Sequence, residues 1–148
     1  MPIDPAPASP QARRPVHLHW RYIGLVALGG TFGTAARIGL TEALPSWQSV
    51  PVTTVGVNIL GAFLLGVLLA SLTRRGGDEG TRRAARLLLG TGFLGGFTTY
   101  SALAVDTDTL VRSGQAGLAV AYALTTVVLG ALAAAAGIRV ATRRGGRR

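Results

Sequence analysis

Gly95-Gly96-Phe97-Thr98-Thr99-Tyr100-Ser101 lies inside an uncharged run from Leu87 to Val105. A run near or above roughly 18 residues predicts a helix that crosses a bilayer. Two glycines followed by two threonines at mid-span weaken such a helix. Glycine costs about 1 kcal/mol relative to alanine, and threonine is stiff and bonds to nearby backbone. The stretch therefore predicts an interruption halfway across the membrane. An interruption frees carbonyls, which is tolerated only where protein, water or an ion satisfies them. Transporters use such breaks to hold cations at carbonyl ends and anions at amide ends. A packing contact softened by glycine is the plainer alternative.

Outward from this run, the chain of 148 residues repeats the pattern: uncharged runs span Val50 to Thr73 and Ser113 to Ile138, with a shorter one from Tyr22 to Ala36. The spans predict helices over Tyr22–Leu40, Val52–Leu72, Arg82–Thr109 with the interruption, and Gly117–Val140. Pro45 and Pro51 bracket the first connection, Gly76 and Gly77 break the second, and Ser113 with Gly114 mark the third. Connections this short make neighbouring helices antiparallel. The expected fold is an all-α membrane protein of four transmembrane helices, the third broken. Residues 1–21 form a disordered tail and membrane entry, 22–140 the membrane domain, and 141–148 a basic C-terminal tail. The five prolines of Met1 to Pro15 oppose a packed unit. That stretch also lacks the apolar centre of a secretory signal, so the first run is retained. Trp20 and Tyr22 suit the headgroup boundary, with Arg21 reaching water.

Composition excludes several functions. Apolar residues make up 49% of the chain and charged residues 14%, which leaves almost nothing for a water-facing catalytic domain. With no cysteine, disulfide scaffolds and thiol sites are ruled out. The net charge of +9 comes from fifteen arginines and no lysine. They sit beside apolar runs, as cytoplasmic anchors do, which disfavours a nucleic-acid partner. His17 and His19 have too few neighbouring ligands for a metal site. With the histidines confined to the entry segment and the acids at loops or helix ends, no nucleophile and base pair is in prospect and no enzyme is expected. Gly29-Gly30-Thr31-Phe32-Gly33 mimics a phosphate loop but lacks the preceding strand that motif needs.

The polar residues inside the spans carry the chemistry, because each is costly in hydrocarbon. Asn58 lies in the middle of helix 2, either clamping helices together or lining a pathway. Arg37 closes helix 1 with no acid on the same turn; it either snorkels to the boundary or draws anions into a vestibule. Tyr122 and Thr126 lie one turn apart on one face of helix 4, where hydroxyls can pass an anion along. Glycine pairs four apart, Gly29 with Gly33 and Gly92 with Gly96, allow close helix approach, as do Ala62 with Gly66 and Gly130 with Ala134. Four spans make a thin bundle, so oligomerisation is expected.

Together, Gly29-Gly30-x-x-Gly33-x-x-x-Arg37, Gly56-Val57-Asn58-Ile59-Leu60-Gly61-Ala62-Phe63 and Gly92-Phe93-Leu94-Gly95-Gly96-Phe97-Thr98-Thr99-Tyr100-Ser101 resemble the Fluc (CrcB) fluoride-channel family over roughly residues 22 to 140. The resemblance implies an antiparallel dimer with two fluoride pathways and a central structural sodium ion, which is not transported. It assigns the sodium to backbone carbonyls of Gly95 and Thr98 from both subunits. The fluoride pathway maps onto Asn58, Tyr100, Ser101, Tyr122 and Thr126, with Arg37 at the vestibule. The next member of the helix-4 track is Gly130, which has no hydroxyl. Where the family usually has Thr-Thr-Phe-Ser-Thr-Phe, this chain reads Thr98-Thr99-Tyr100-Ser101-Ala102-Leu103, so Leu103 lacks the positive ring edge that an anion meets.

On this reading the protein is a passive fluoride exporter of the cell membrane, in contact with lipid, with both termini cytoplasmic. With the N-terminus inside, thirteen arginines lie on the cytoplasmic side, against Arg112 on the other, joined by Arg37 if it faces that way. Such a bias fixes one orientation. It favours a heterodimer with an oppositely oriented related subunit over a homodimer. The main competing class is a small four-helix multidrug or metabolite exporter, which usually needs an embedded acid.

Overall fold

A computed structural model describes residues 19–44 and 51–144. The proline-rich tail, His17, Pro45 and the last four residues lie outside that range. The element order is α1 (Trp20–Ala43), α2 (Val52–Arg74), α3 (Gly80–Ala85), a π-helical segment (Arg86–Leu94), α4 (Gly95–Phe97), α5 (Tyr100–Arg112) and α6 (Ala116–Arg144). α3 through α5 form one span of 33 residues, Gly80–Arg112, beside spans of 24, 23 and 28 residues, all long and apolar enough to cross a membrane. The protein is a four-helix, multi-pass membrane protein with a broken third helix. Every helix runs past the bounds expected from hydropathy, because arginines and polar residues at the ends still satisfy their backbone within the helix while their heads reach water.

The turns follow their glycines. α5 ends with Gly114 at φ 79°; the Gly114 amide donates to the Val111 carbonyl and that of Gln115 to Leu110. This is the paired closure of a helix by a left-handed residue. Gly76, at φ 122°, ends α2 in the same left-handed region. Beyond it Asp78 pairs with Arg83 at 3.4 Å and with Arg86.

Packing is built on backbone contact. A Cβ on Gly29 would collide with the Leu88 carbonyl and the Phe93 amide, and one on Gly33 with the Phe93 carbonyl and Phe97 amide. Leu88 and Phe93 are five residues apart, one turn of the π segment, so α1 seats on the widened helix itself. On the other side of the bundle, Gly66 seats on Ala134, and Gly137 on Phe63 and Val67. Gly130 meets nothing within 4 Å, so the expected Gly130 contact is replaced by one at Gly137. α6 buries Ala119, Tyr122 and Thr126 at spacings of three and four, the first two against Leu103 and Leu110 of α5.

The third span changes partners along its length. Its π segment and α4 pack on α1, whereas α5 packs on α6. The exchange happens at Thr98 and Thr99, which have extended backbone with ψ of 154° and 120°. Gly95 itself is helical, φ −66° and ψ −36°. The helix is therefore interrupted by the threonines, while Gly92 and Gly96 serve the close approach to α1.

Candidate functional site

Breaking a helix after Phe97 removes the hydrogen bonds that run from the amide of residue i+4 to the carbonyl of residue i. Two of the lost donors can be followed. The Thr99 amide, which would have served the Gly95 carbonyl, donates to Asn58 Oδ1 at 2.7 Å. The Ala102 amide, which would have served Thr98, donates to Thr99 Oγ1 at 3.1 Å. Among the described residues no hydrogen-bond donor reaches the carbonyl of Gly95 or Thr98 outside the helical ladder they have left. Gly96 fares differently. Its carbonyl accepts from Arg37 Nε at 3.3 Å and Thr34 Oγ1 at 3.4 Å, both from α1.

Asn58 completes a two-way clamp, since its Nδ2 donates to the Thr99 carbonyl at 3.0 Å. Both ends of the amide engage one backbone residue, which fixes its orientation and leaves one N–H free. Asn58 is thus a clamp and retains a donor, so the two readings of this residue are compatible.

An open groove of about 570 Å³ runs down one face of the subunit, lined by Asn58, Gly95, Thr98, Tyr100, Leu103, Thr126 and Gly130 among others. Tyr100 is 82% exposed, its ring projecting away from its own bundle. Leu103 is 7% exposed, tucked against Tyr122 and α6 beneath the groove. Ser101 is exposed and does not line the groove; its hydroxyl lies 3.1 Å from that of Thr99. Tyr122 is buried and does not line the groove. Its hydroxyl donates to Asp106 Oδ2 at 2.9 Å, and Thr126 Oγ1 donates to the Tyr122 carbonyl at 2.7 Å. Both α6 hydroxyl protons are therefore already in use.

Arg37 lies on the other side of the break, half-buried, in a second chamber of about 360 Å³ with Thr41, Thr53, Thr54, Thr99 and Asp106. Thr99 lines both cavities. Asp106 escaped the sequence reading, which put the acids at loops or helix ends. It stands six residues inside α5, and the signal was its spacing: three after Leu103 and four before Leu110, on the buried face. Arg37 therefore has an acid in its chamber, supplied by another helix.

This geometry can satisfy two kinds of ion at one place. Freed carbonyls suit a hard cation, and the remaining N–H, hydroxyls and a ring suit a small anion. A sequence profile described as CrcB-like protein, Camphor Resistance (CrcB), matches residues 24–138. The chain belongs to the CrcB family. A relative from Leifsonia xyli subsp. xyli, named fluoride-specific ion channel FluC 2, is 52% identical over 90% of this chain and 92% of its own. Another from Cutibacterium acnes, fluoride-specific ion channel FluC 1, is 50% identical over 82% of each chain. A third from Paracoccus denitrificans, fluoride-specific ion channel FluC, is 46% identical over 78% of this chain and 90% of its own.

Proposed function

We propose that this protein is a channel subunit, with no enzymatic activity, through which fluoride leaves the cell passively. The observation that carries the reading is the clamped Asn58, whose spare N–H is fixed on the wall of a groove shared with Tyr100 and Thr126, in a chain of the CrcB family whose relatives bear the channel name. Fluoride holds its water strongly, so a pore must replace that water with donors that do not bind too tightly. Asn58 offers a fixed donor. Thr126 on the groove wall and Ser101, exposed beside Tyr100, offer hydroxyls that exchange an internal partner for the anion by rotation, while Tyr122 stands behind the groove with its hydroxyl held by Asp106. The edge of the Tyr100 ring supplies a further positive surface. An inside-negative potential drives the anion outward by about 2.3 kcal/mol per 100 mV, without nucleotide or proton coupling.

The residues also fit a structural sodium ion. The carbonyls of Gly95 and Thr98 are the two whose helical donors are diverted to side chains, and bare carbonyl oxygens are the ligands a hard cation prefers. Two carbonyls per chain are too few for a cage, so a second subunit completes it. Bound there, the ion supplies fixed positive charge in a low-dielectric setting, where its field is weakly screened. The exposed Tyr100 ring and the open groove support the same pairing, with the rings of each subunit reaching across to the other.

The pairing is antiparallel, and the arginine distribution favours a related partner of opposite charge bias, which brings the aromatic missing at Leu103. In this orientation both termini are cytoplasmic. An exporter of drugs or metabolites is disfavoured, because Asp106 is held by the Tyr122 hydroxyl in the Arg37 chamber and stands outside the groove. The test is fluoride efflux from liposomes containing the purified chain with its candidate partner. Fluoride-selective efflux over chloride is expected, and efflux without that preference overturns the reading.

A further inference from the structure

The anion groove and the carbonyls at the helix break meet at one side chain. Asn58 faces the groove, yet its Oδ1 holds the Thr99 amide at 2.7 Å. That amide is the donor which, in a continuous helix, would cover the Gly95 carbonyl. We propose that Asn58 is a positioning residue for the cation site as well as a lining residue of the anion path: by capturing the Thr99 amide it keeps the Gly95 carbonyl bare. The Thr99 hydroxyl does the same for Thr98, by accepting from the Ala102 amide at 3.1 Å. The inference rests on the sodium reading above and adds a dependence between the two ions. A ligand carbonyl with no competing N–H binds a cation better, because the cation need not displace a hydrogen bond. When Asn58 loses its acceptor, the Thr99 amide is free to return to Gly95, and the cation then competes with it.

The chemistry of the amide separates this role from lining alone. Asn58→Asp keeps an acceptor for the Thr99 amide but puts an acid on the anion path. Asn58→Leu removes the acceptor and adds no charge. Thr99→Val frees the Ala102 amide without touching Asn58. The measurement is thermal unfolding of the purified full chain, in detergent and assembled with its candidate partner, titrated with sodium chloride against choline chloride at constant ionic strength. It reads cation binding and needs no flux. The wild-type protein is expected to be stabilised by sodium. In Asn58→Leu and Thr99→Val the sodium concentration for half-maximal stabilisation should rise roughly tenfold, the scale of one hydrogen bond. In Asn58→Asp it should stay at or below the wild-type value while fluoride flux is lost. Sodium responses unchanged in both Asn58→Leu and Thr99→Val overturn the proposal. If Asn58→Leu does not fold, Thr99→Val with Asn58→Asp carries the decision. A wild-type protein indifferent to sodium overturns the underlying cation reading instead, and so is told apart from failure of the coupling alone.

Discussion

At the scale of single residues, Arg37 shows how one side chain serves structure and electrostatics together. Its Nε donates to the Gly96 carbonyl, sealing a group that the break leaves without its helical donor. The same side chain lines the chamber that also holds Asp106. Hydrogen bonds to charged groups contribute about 1.5–3 kcal/mol, and a buried acceptor left bare costs a similar amount. Arg37→Met should therefore destabilise the protein by about 2 kcal/mol in unfolding experiments and lower fluoride flux. Arg37→Lys should recover part of the stability, because an ammonium still donates but without the planar fork that reaches sideways. Equal stability of Arg37→Met and wild type would show that the Thr34 hydroxyl alone satisfies the Gly96 carbonyl. Leu103 fills the space between α5 and α6, buried against Tyr122 and Leu110.

At the scale of elements, the break lets the third span serve two neighbours. A straight helix presents one stripe to one partner, whereas Thr98 and Thr99 redirect the chain from α1 to α6. The first half is held by backbone contact through glycine, which tolerates no side chain. Gly29→Ala should force α1 off the Leu88 carbonyl and Phe93 amide, at a cost of about 1–3 kcal/mol. Gly39→Ala, on the same helix with nothing within 4 Å, should leave stability unchanged or raise it by up to about 1 kcal/mol, as helix propensity alone dictates. Thermal unfolding of the pair checks this. No loss at Gly29→Ala, with the two variants behaving alike, would mean that propensity governs both positions and that the seating on the π segment does not matter.

At the scale of the whole molecule, charge and exposed surface both point beyond one subunit. Arginines concentrate at the end where α1 begins, α2 ends, α3 begins and α6 ends, while the Arg37 chamber lies toward the other. A chain so biased inserts one way, and an antiparallel partner must carry the opposite bias. Tags on each terminus, probed in intact cells with an impermeant reagent, should be protected for nearly every copy. Equal populations facing in and out would sink the heterodimer and leave a homodimer channel intact.

Much of this protein is written in its sequence, because a bilayer leaves few choices. Long uncharged runs can only be spanning helices, and a Gly-Gly-x-Thr-Thr stretch within one cannot remain a regular helix. The number of spans and the broken third helix followed from those constraints, and Asn58 stood out as the polar residue in the middle of the second span. Tertiary structure decided what each polar group does, since a hydrogen bond depends on which helix lies opposite. Within the expected stretch it put the interruption at the threonines, gave Gly96 to Arg37, and turned Asp106 inward toward Tyr122. Above all, it took the Thr99 amide from Gly95 and gave it to Asn58, a pairing of residues 41 apart in the chain that no local pattern encodes.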